Sequence, residues 1–343
     1  MKNNKLIKIG VSALCGSLAT IAAAQAGEMV VKGSAQTTYT KASTGTVGSP
    51  LGMNTALTFV GTGELDGGST VTYTLTHADK AAYSAGSLKI ATPSFGTVTV
   101  SHASGGGGLG GYDDKMPTAW EESWGNSVAT SVDLPKGVGS SSNIQWASPS
   151  VMGSTLKVAW APKNDGSTSN DKATGGQTSS SMGRGLDVVL DVKAMDDRLN
   201  VWAGVSQTQR HEELNGPRED RDDHKEANIG ATMSIGPVQL GYARTFEDTG
   251  NSLAGEVDYY QNNMYGISIS LGDNLSLSAN KFDSEKNIDG QFSPEMKITS
   301  LQAAYTMGGA AWKIAKTEVD NAGYALGSEN QKDGTVVALS MAF

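Results

Sequence analysis

Apolar and small polar residues alternate along most of the chain from residue 28 onward. In residues 70–76, for example, Val71, Tyr73 and Leu75 alternate with threonines. A two-residue period is typical of β-strands whose two faces meet different surroundings. Sixteen segments show this pattern: 28–40, 52–64, 70–76, 87–93, 95–102, 142–149, 154–162, 186–193, 199–208, 226–235, 238–246, 258–271, 274–283, 296–307, 311–320 and 334–343.

The connections between these segments differ in length in a regular way. Very short turns, such as Gly236-Pro237 and Gly308-Gly309, alternate with long connections, such as 209–225 and 321–333. Short turns on one side and long loops on the other are typical of outer-membrane barrels, which have an even number of strands. We therefore predict an all-β fold, a transmembrane antiparallel β-barrel of sixteen strands. A large soluble β-sandwich or β-propeller is the alternative, although the chain has no blade-length repeat.

Residues 1–26 do not follow the strand pattern. Three lysines precede an apolar run over residues 9–23, and residues 24–26 have the Ala-x-Ala form of a signal-peptidase site. We predict a signal peptide over 1–26 and a porin-like β-barrel domain over 27–343. An N-terminal anchor helix is the alternative, but the run is shorter than the about 20 residues that a spanning helix needs.

Composition adds two exclusions. The single cysteine, Cys15, lies in the predicted signal peptide, so the remaining chain needs no disulfide. Three of the 26 basic residues and none of the 35 acidic residues lie in residues 1–26, which leaves a net charge of −12 for the rest. Such an acidic chain argues against nucleic acid as a partner.

Residues 101–142 interrupt the array of strands. A connection this long is usually functional or disordered, and we predict that it folds into the barrel lumen and narrows it. The glycine run at 105–111 predicts a flexible hinge. Thr118 and Glu121 have capping-box spacing, which predicts a short helix over 119–124.

Two tryptophans and a group of charges make this segment a candidate constriction. Trp120 and Trp124 would share one face of the predicted helix, where they either pin the loop to the wall or form a stacking platform for sugars; pinning is the commoner use. The acids of the segment are Asp113, Asp114, Glu121 and Glu122. Alternation places these cations on lumen faces: Lys32, Lys89, Lys157, Lys193 and Lys313. Acids facing cations would set a field across the pore, unless they are solvated rim residues.

The last strand, GTVVALSMAF, puts Phe343 on its apolar face. Together with the opening VVKGSAQ strand and the FGTVTV strand before the long loop, it resembles the general porins of Gram-negative bacteria. The resemblance implies a sixteen-stranded homotrimer in the outer membrane, surrounded by lipid and lipopolysaccharide. It also implies a third external loop that constricts the pore and a terminal Phe343 that the barrel-assembly machinery recognises.

One position departs from that family. The FG strand of general porins commonly runs on to Gly-Arg, whose Arg faces the acidic loop, whereas Ser101 and His102 stand here. Alternation puts His102 on the face of Val98 and Val100, but alternation often fails at strand ends. We keep His102 as a candidate constriction residue, with a loop-base histidine as the alternative.

No catalytic constellation is present in the sequence. None of the four histidines has metal-ligand spacing to a partner, and there is no nucleophile elbow, so we predict no enzyme activity, resident metal or cofactor. The segment 210–226 carries seven acids and four basic residues, and either binds divalent cations loosely or is a solvated external loop.

The sequence thus predicts a porin for passive diffusion of small hydrophilic solutes and ions, weakly cation-selective. The alternatives are a substrate-specific channel, for sugars for example, and a barrel that anchors an adhesin or an enzyme.

Overall fold

The computed structural model describes most of the chain after residue 26. The described residues are 27–42, 49–65, 67–79, 85–102, 107–126, 128, 132–139, 141–164, 182–210, 222–251 and 253–343. The signal peptide predicted for 1–26 lies outside them. Within these ranges the chain forms sixteen β-strands and three short 3-10 turns. No helix among the described residues is long and apolar enough to cross a membrane.

The strands have the following bounds. They are β1 Met29–Ala42, β2 Leu51–Leu65, β3 Ser69–Ala78, β4 Ala85–Thr92, β5 Gly96–His102, β6 Asn143–Ala147, β7 Ser154–Ala161, β8 Met182–Ala194, β9 Leu199–Arg210, β10 His224–Ile235, β11 Val238–Asp248, β12 Val257–Leu271, β13 Leu275–Ile288, β14 Met296–Met307, β15 Ala310–Asp320 and β16 Lys332–Ala342. The 3-10 turns are Leu109–Tyr112, Ala322–Tyr324 and Ser328–Asn330.

Each strand pairs antiparallel with the next, and β1 pairs with β16, so the sheet closes into a barrel. At the seam, the Gly33 N–H donates to the Phe343 carbonyl at 2.7 Å and the Phe343 N–H donates to the Gly33 carbonyl at 3.0 Å. The Phe343 ring lies over Gly33 and is 79% exposed. A closed ring leaves no unpaired sheet edge. The predicted sixteen-stranded barrel is therefore confirmed.

The two faces of the strands differ as the alternation predicts. On β8, Leu186 and Leu190 are exposed, whereas Asp187 and Val189 are buried. Large apolar side chains are exposed on the same outward face of other strands, for example Val205, Ile229 and Leu301. This is the pattern of a barrel whose outer surface meets lipid.

Long and short connections alternate around the barrel. The turns after β8, β10, β12 and β14 are short, and the connections after β5, β7, β9 and β15 are long. Some strands extend toward the long-loop side beyond their predicted ends: β8 begins at Met182 rather than 186, and β13 ends at Ile288 rather than 283. Antiparallel pairing continues in both extensions, with a register shift between Met182 and Gly185 on β8 and between Val257 and Tyr259 opposite the end of β13. The apolar alternation has stopped there.

The outward face gives a test of membrane orientation. Leu190 lies on the apolar face of β8 between Val188 and Val192. We expect Leu190→Arg to lower the free energy of unfolding in lipid vesicles by about 2–4 kcal/mol, the usual cost of a cation in the middle of a barrel's lipid face. Thr74→Arg, on the inward face of β3, should lower the free energy of unfolding clearly less. Equal losses in urea titrations of the two variants would contradict the assignment of faces.

Candidate functional site

The segment between β5 and β6 lies along the polar faces of successive strands. Its outgoing part starts at β8, where the Leu109 N–H donates to Asp187 Oδ2 at 2.8 Å. On β10, Asn228 Nδ2 donates to the Tyr112 carbonyl at 3.0 Å. On β13, Asn280 Nδ2 donates to the Pro117 carbonyl at 2.9 Å. The segment therefore crosses from β8 to β13 within ten residues.

The segment then continues to β14 and β16 before it returns. Asn126 Nδ2 donates to Ser300 Oγ on β14 at 3.0 Å. Val128 reaches Gly334 on β16, where a Cβ on the glycine would lie 2.8 Å from the valine methyl group. On the way back, Asn262 Nδ2 on β12 donates to the Asp133 carbonyl at 2.9 Å.

Two buried carboxylates hold the returning part. Glu226 on β10 accepts the Lys136 N–H through Oε1 and the Gly137 N–H through Oε2, both at 2.8 Å. Asp187 accepts the Val138 N–H at 3.1 Å from each oxygen. Because Asp187 also accepts the Leu109 N–H, this one side chain joins the two ends of the described loop. It is completely buried, so its charge depends on these donors.

Glycines leave room for the segment on the wall. A Cβ at Gly241 or Gly266 would lie 2.3 Å or 2.8 Å from Cδ of Pro117. A Cβ at Gly204 would lie 2.7 Å from Cδ1 of Leu109. Larger residues at these strand positions would push the loop away from the wall.

The glycines of the loop itself also allow its backbone to lie close to the wall. A Cβ at Gly108 would lie 2.0 Å from Asp187 Oδ2, and one at Gly107 would overlap the Gln145 amide. Gly137 has φ of +56° and also lies against Asp187. Residues 109–112 form a 3-10 turn. The described part of the predicted hinge is therefore tightly packed, and Gly105 and Gly106 lie outside the described residues.

Apolar contacts reinforce the hydrogen bonds. Leu109, Tyr112, Met116, Val128 and Leu134 of the loop belong to one buried cluster with apolar side chains of the wall. The wall contributes Val189, Trp202, Ala243, Met264, Phe282, Met296, Ile298 and Val319. This part of the wall is covered by the loop, which explains why its inward face is apolar.

The helix predicted for 119–124 is wrong. The Ala119 N–H donates to Ser278 Oγ at 2.9 Å, and the N–H groups of Trp120 and Glu121 both donate to Gln302 Oε1 at 3.1 Å. Only a turn forms, in which the Gly125 N–H donates to the Glu122 carbonyl. The wall thus satisfies the backbone donors that a capping box would otherwise satisfy.

The two tryptophans consequently contact different parts of the wall. The Trp124 ring packs on Phe282 of β13 with the ring centres 4.8 Å apart. The Lys313 Nζ of β15 lies 5.9 Å from the centre of the Trp120 ring. These contacts correspond to pinning rather than to a shared stacking face.

The four acids of the segment lie close enough together to affect one another's pKa values. Burial raises the pKa of Asp113 to about 6 and that of Glu122 to about 7, and the Asp114 carboxylate adds to both shifts. Burial also raises the pKa of Asp114, against the effect of Lys115, and the pKa of Glu121, against the effect of Lys313. Acids that are crowded and partly desolvated hold their protons more tightly.

The predicted cations are distributed unevenly. Lys157 Nζ donates to Tyr112 Oη at 2.6 Å and lies 3.3 Å from Asp191, to which the tyrosine hydroxyl donates at 2.6 Å. Its charge is thus engaged where the loop is attached. Lys32 and Lys89 are exposed on β1 and β4. Lys89 lies away from the loop attachments described above, whereas Lys32 lies on β1, which pairs with β16.

His102 lies at the base of the loop. Its Nδ1 is 2.6 Å from Ser142 Oγ. It shares its strand face with Val100, which is exposed. This contact joins the two ends of the segment, where it leaves and re-enters the barrel wall.

The residues that fasten the loop were not identified from the sequence. Strand alternation puts Asp187 on the inward face of its segment but does not identify its partners, and no local pattern marks Glu226 or Gln302. A carboxylate or a carboxamide on the inward face of a strand is a weak signal, because alternation gives the face and not the partner.

The closed barrel agrees with the comparisons. The model of the Gram-negative porin family matches residues 10–311. OmpF of Salmonella typhi, solved with daunomycin, is 13% identical, with a TM-score of 0.65 over 93% of this chain and 98% of that one. OmpT of Vibrio cholerae, an outer membrane protein, is 11% identical, with a TM-score of 0.61 over 95% and 100%. No curated protein sequence matches the chain.

The closed barrel and the family match together define the chain as an outer-membrane β-barrel of the channel-forming class. The chain belongs to the Gram-negative porin family. The structural likenesses, at these low identities, support the fold alone.

Asp187 gives a test of how the loop is held. We expect Asp187→Ala to lower the free energy of unfolding by about 1–3 kcal/mol, because buried N–H donors lose their acceptor. Trypsin should then cleave faster after Lys136, whose side chain is exposed. Asp273→Ala, in the short turn after β12, is the control and should change neither measurement. Unchanged cleavage in Asp187→Ala would contradict the attachment.

Proposed function

We propose that this porin forms a water-filled channel for passive diffusion of small hydrophilic solutes and ions, narrowed by residues 101–142 folded into its lumen. The observation that carries the proposal is the set of buried wall side chains that bind the loop backbone from β8 to β14. A loop held on the inward faces of half the strands reduces the cross-section of a barrel.

The opposite wall supports general diffusion. Thr72, Thr74 and Thr76 share the inward face of β3, and Thr76 Oγ1 lies 3.2 Å from Thr58 Oγ1 of β2. Lys32 and Lys89 lie on the inward faces of β1 and β4. Hydroxyl groups and isolated cations bind water and polar solutes without selecting one of them.

Charge supports a weak preference for cations. The four acids Asp113, Asp114, Glu121 and Glu122 are only partly offset, within the loop by Lys115 and on the wall by Lys313. Lys157 is paired with Asp191. Excess carboxylates at a narrow point raise the local concentration of cations.

A sugar-specific channel has less support. It would need aromatic faces open to the lumen, whereas Trp124 packs on Phe282 and Trp120 lies beneath Lys313. For the same reason we assign the tryptophans an anchoring role.

The partners are proposed from the family. One solved form of the relative OmpT of Vibrio cholerae is a trimer, and we propose that this chain is a homotrimer embedded in lipid and lipopolysaccharide. Phe343 at the exposed end of the seam would be the residue that the barrel-assembly machinery recognises. We propose no enzymatic activity and no cofactor for conduction.

Liposome swelling tests the type of channel. We expect swelling rates that fall smoothly with the size of the sugar, because the narrow point sorts solutes by dimension. Asp187→Ala, which releases the loop, should raise the size limit, whereas Asp273→Ala should not. A single preferred sugar would support a specific channel, and an absence of swelling would leave the barrel as an anchor.

The raised pKa values of Asp113 and Glu122 give a pH dependence. As the pH falls from about 8 to about 5, these carboxyls take up protons and lose their charge, so cation preference should decrease over that interval rather than near the ordinary carboxyl pKa of about 4. Reversal potentials in planar bilayers measure this. Asp113→Asn with Glu122→Gln should remove most of the change.

The matched control is Asp320→Asn with Glu295→Gln, which removes two exposed acids at the long-loop end of the barrel. This variant should keep the pH dependence. The same pH profile in both double variants would exclude Asp113 and Glu122 from the constriction.

A further inference from the structure

We propose that His224, Glu226 and Glu247 form a binding site for a divalent transition-metal ion of the Zn²⁺ type. The site lies at the long-loop end of β10 and β11. It does not depend on the solute that the channel conducts.

The strand register brings the three side chains together. His224 and Glu226 are two residues apart on β10 and therefore share its inward face. Glu247 stands directly opposite Glu226 on β11. One potential ligand atom from each of the three residues lies within 4.8 Å of the other two. This spacing allows one small cation to contact all three.

The hydrogen bonds within the cluster leave a carboxylate oxygen unsatisfied. His224 Nε2 lies 2.9 Å from Glu247 Oε1. Glu247 Oε2 is buried and has no hydrogen-bond partner among the described residues, and Glu247 as a whole is only 8% exposed. A buried carboxylate oxygen without a donor is costly. A bound cation would remove that cost.

Glu226 retains the capacity to bind a metal. It is 5% exposed, and each of its oxygens accepts one backbone N–H, from Lys136 or from Gly137. A carboxylate oxygen has two lone pairs, so one remains on each oxygen for a cation.

The ligand set indicates the kind of metal. One imidazole nitrogen with two carboxylates is typical of Zn²⁺ and similar transition metals, whereas Ca²⁺ and Mg²⁺ prefer sets made of oxygen alone. With a neutral imidazole, the two carboxylates carry a charge of −2, and the nearby Arg210 offsets part of it. Arg210 also donates to the Thr249 carbonyl. The remaining negative charge favours a cation.

Such an ion would connect the constriction loop to the wall. Glu226 on β10 already accepts the N–H groups of residues 136 and 137 of the loop. An ion bound by Glu226, His224 and Glu247 would connect this attachment point to β11 as well. Zn²⁺ should therefore protect the loop against cleavage after Lys136.

Calorimetry on the folded, untagged protein in detergent provides the test, with ZnCl₂ as the titrant. We expect one Zn²⁺ per chain, retained in an excess of Mg²⁺, and a Co²⁺ complex with visible absorption bands. His224→Gln and Glu247→Gln should each weaken Zn²⁺ binding at least about tenfold, as loss of a ligand does. Glu247→Gln keeps an oxygen acceptor for His224, and circular dichroism checks that both variants fold.

The control is His77→Gln on β3, where the histidine contacts Phe59 away from the cluster. It should bind Zn²⁺ like the parent. In the parent and in this control, Zn²⁺ should slow trypsin cleavage after Lys136, and in the two cluster variants it should not. The proposal is overturned by an absence of Zn²⁺ binding, by unchanged binding in His224→Gln, or by full displacement of Zn²⁺ by Mg²⁺.

Discussion

The need to pair every backbone N–H and C=O group within hydrocarbon determines this structure. A sheet meets that need only when its first and last strands join, and here β1 and β16 do so through a ladder that ends at Gly33 and Phe343. Closure leaves each strand with one face toward lipid and one toward the interior. The alternation of side chains, the outward apolar surface and the inward polar attachments all follow from that separation.

The same requirement governs the loop between β5 and β6. Its described residues form few hydrogen bonds with one another, so many of their N–H and C=O groups find partners on the wall. Asp187 and Glu226 are suited to this because a buried carboxylate can accept several backbone donors at once. The loop is thereby attached by side chains that would otherwise be unfavourable in the interior.

Burial disfavours the charged form of the loop's own acids. Asp113 and Glu122 have few donors and several like-charged neighbours, so their pKa values rise. The charge of these two loop acids thus depends on pH near neutrality. Lys157 is paired with Asp191 where the loop is attached. The cluster of His224, Glu226 and Glu247 is a third arrangement, in which a carboxylate oxygen is buried without a donor.

The sequence by itself determined the strands, their faces and the alternation of short and long connections, because these depend on neighbours one or two residues apart. It also located the long loop and its acids. Only the tertiary structure decided what the loop contacts. Residues 119–124 have helix-start spacing, yet their backbone N–H groups donate to Ser278 and Gln302, which lie more than 150 residues further along the chain. His224 likewise meets Glu247 through strand register, a pairing that no local spacing reveals.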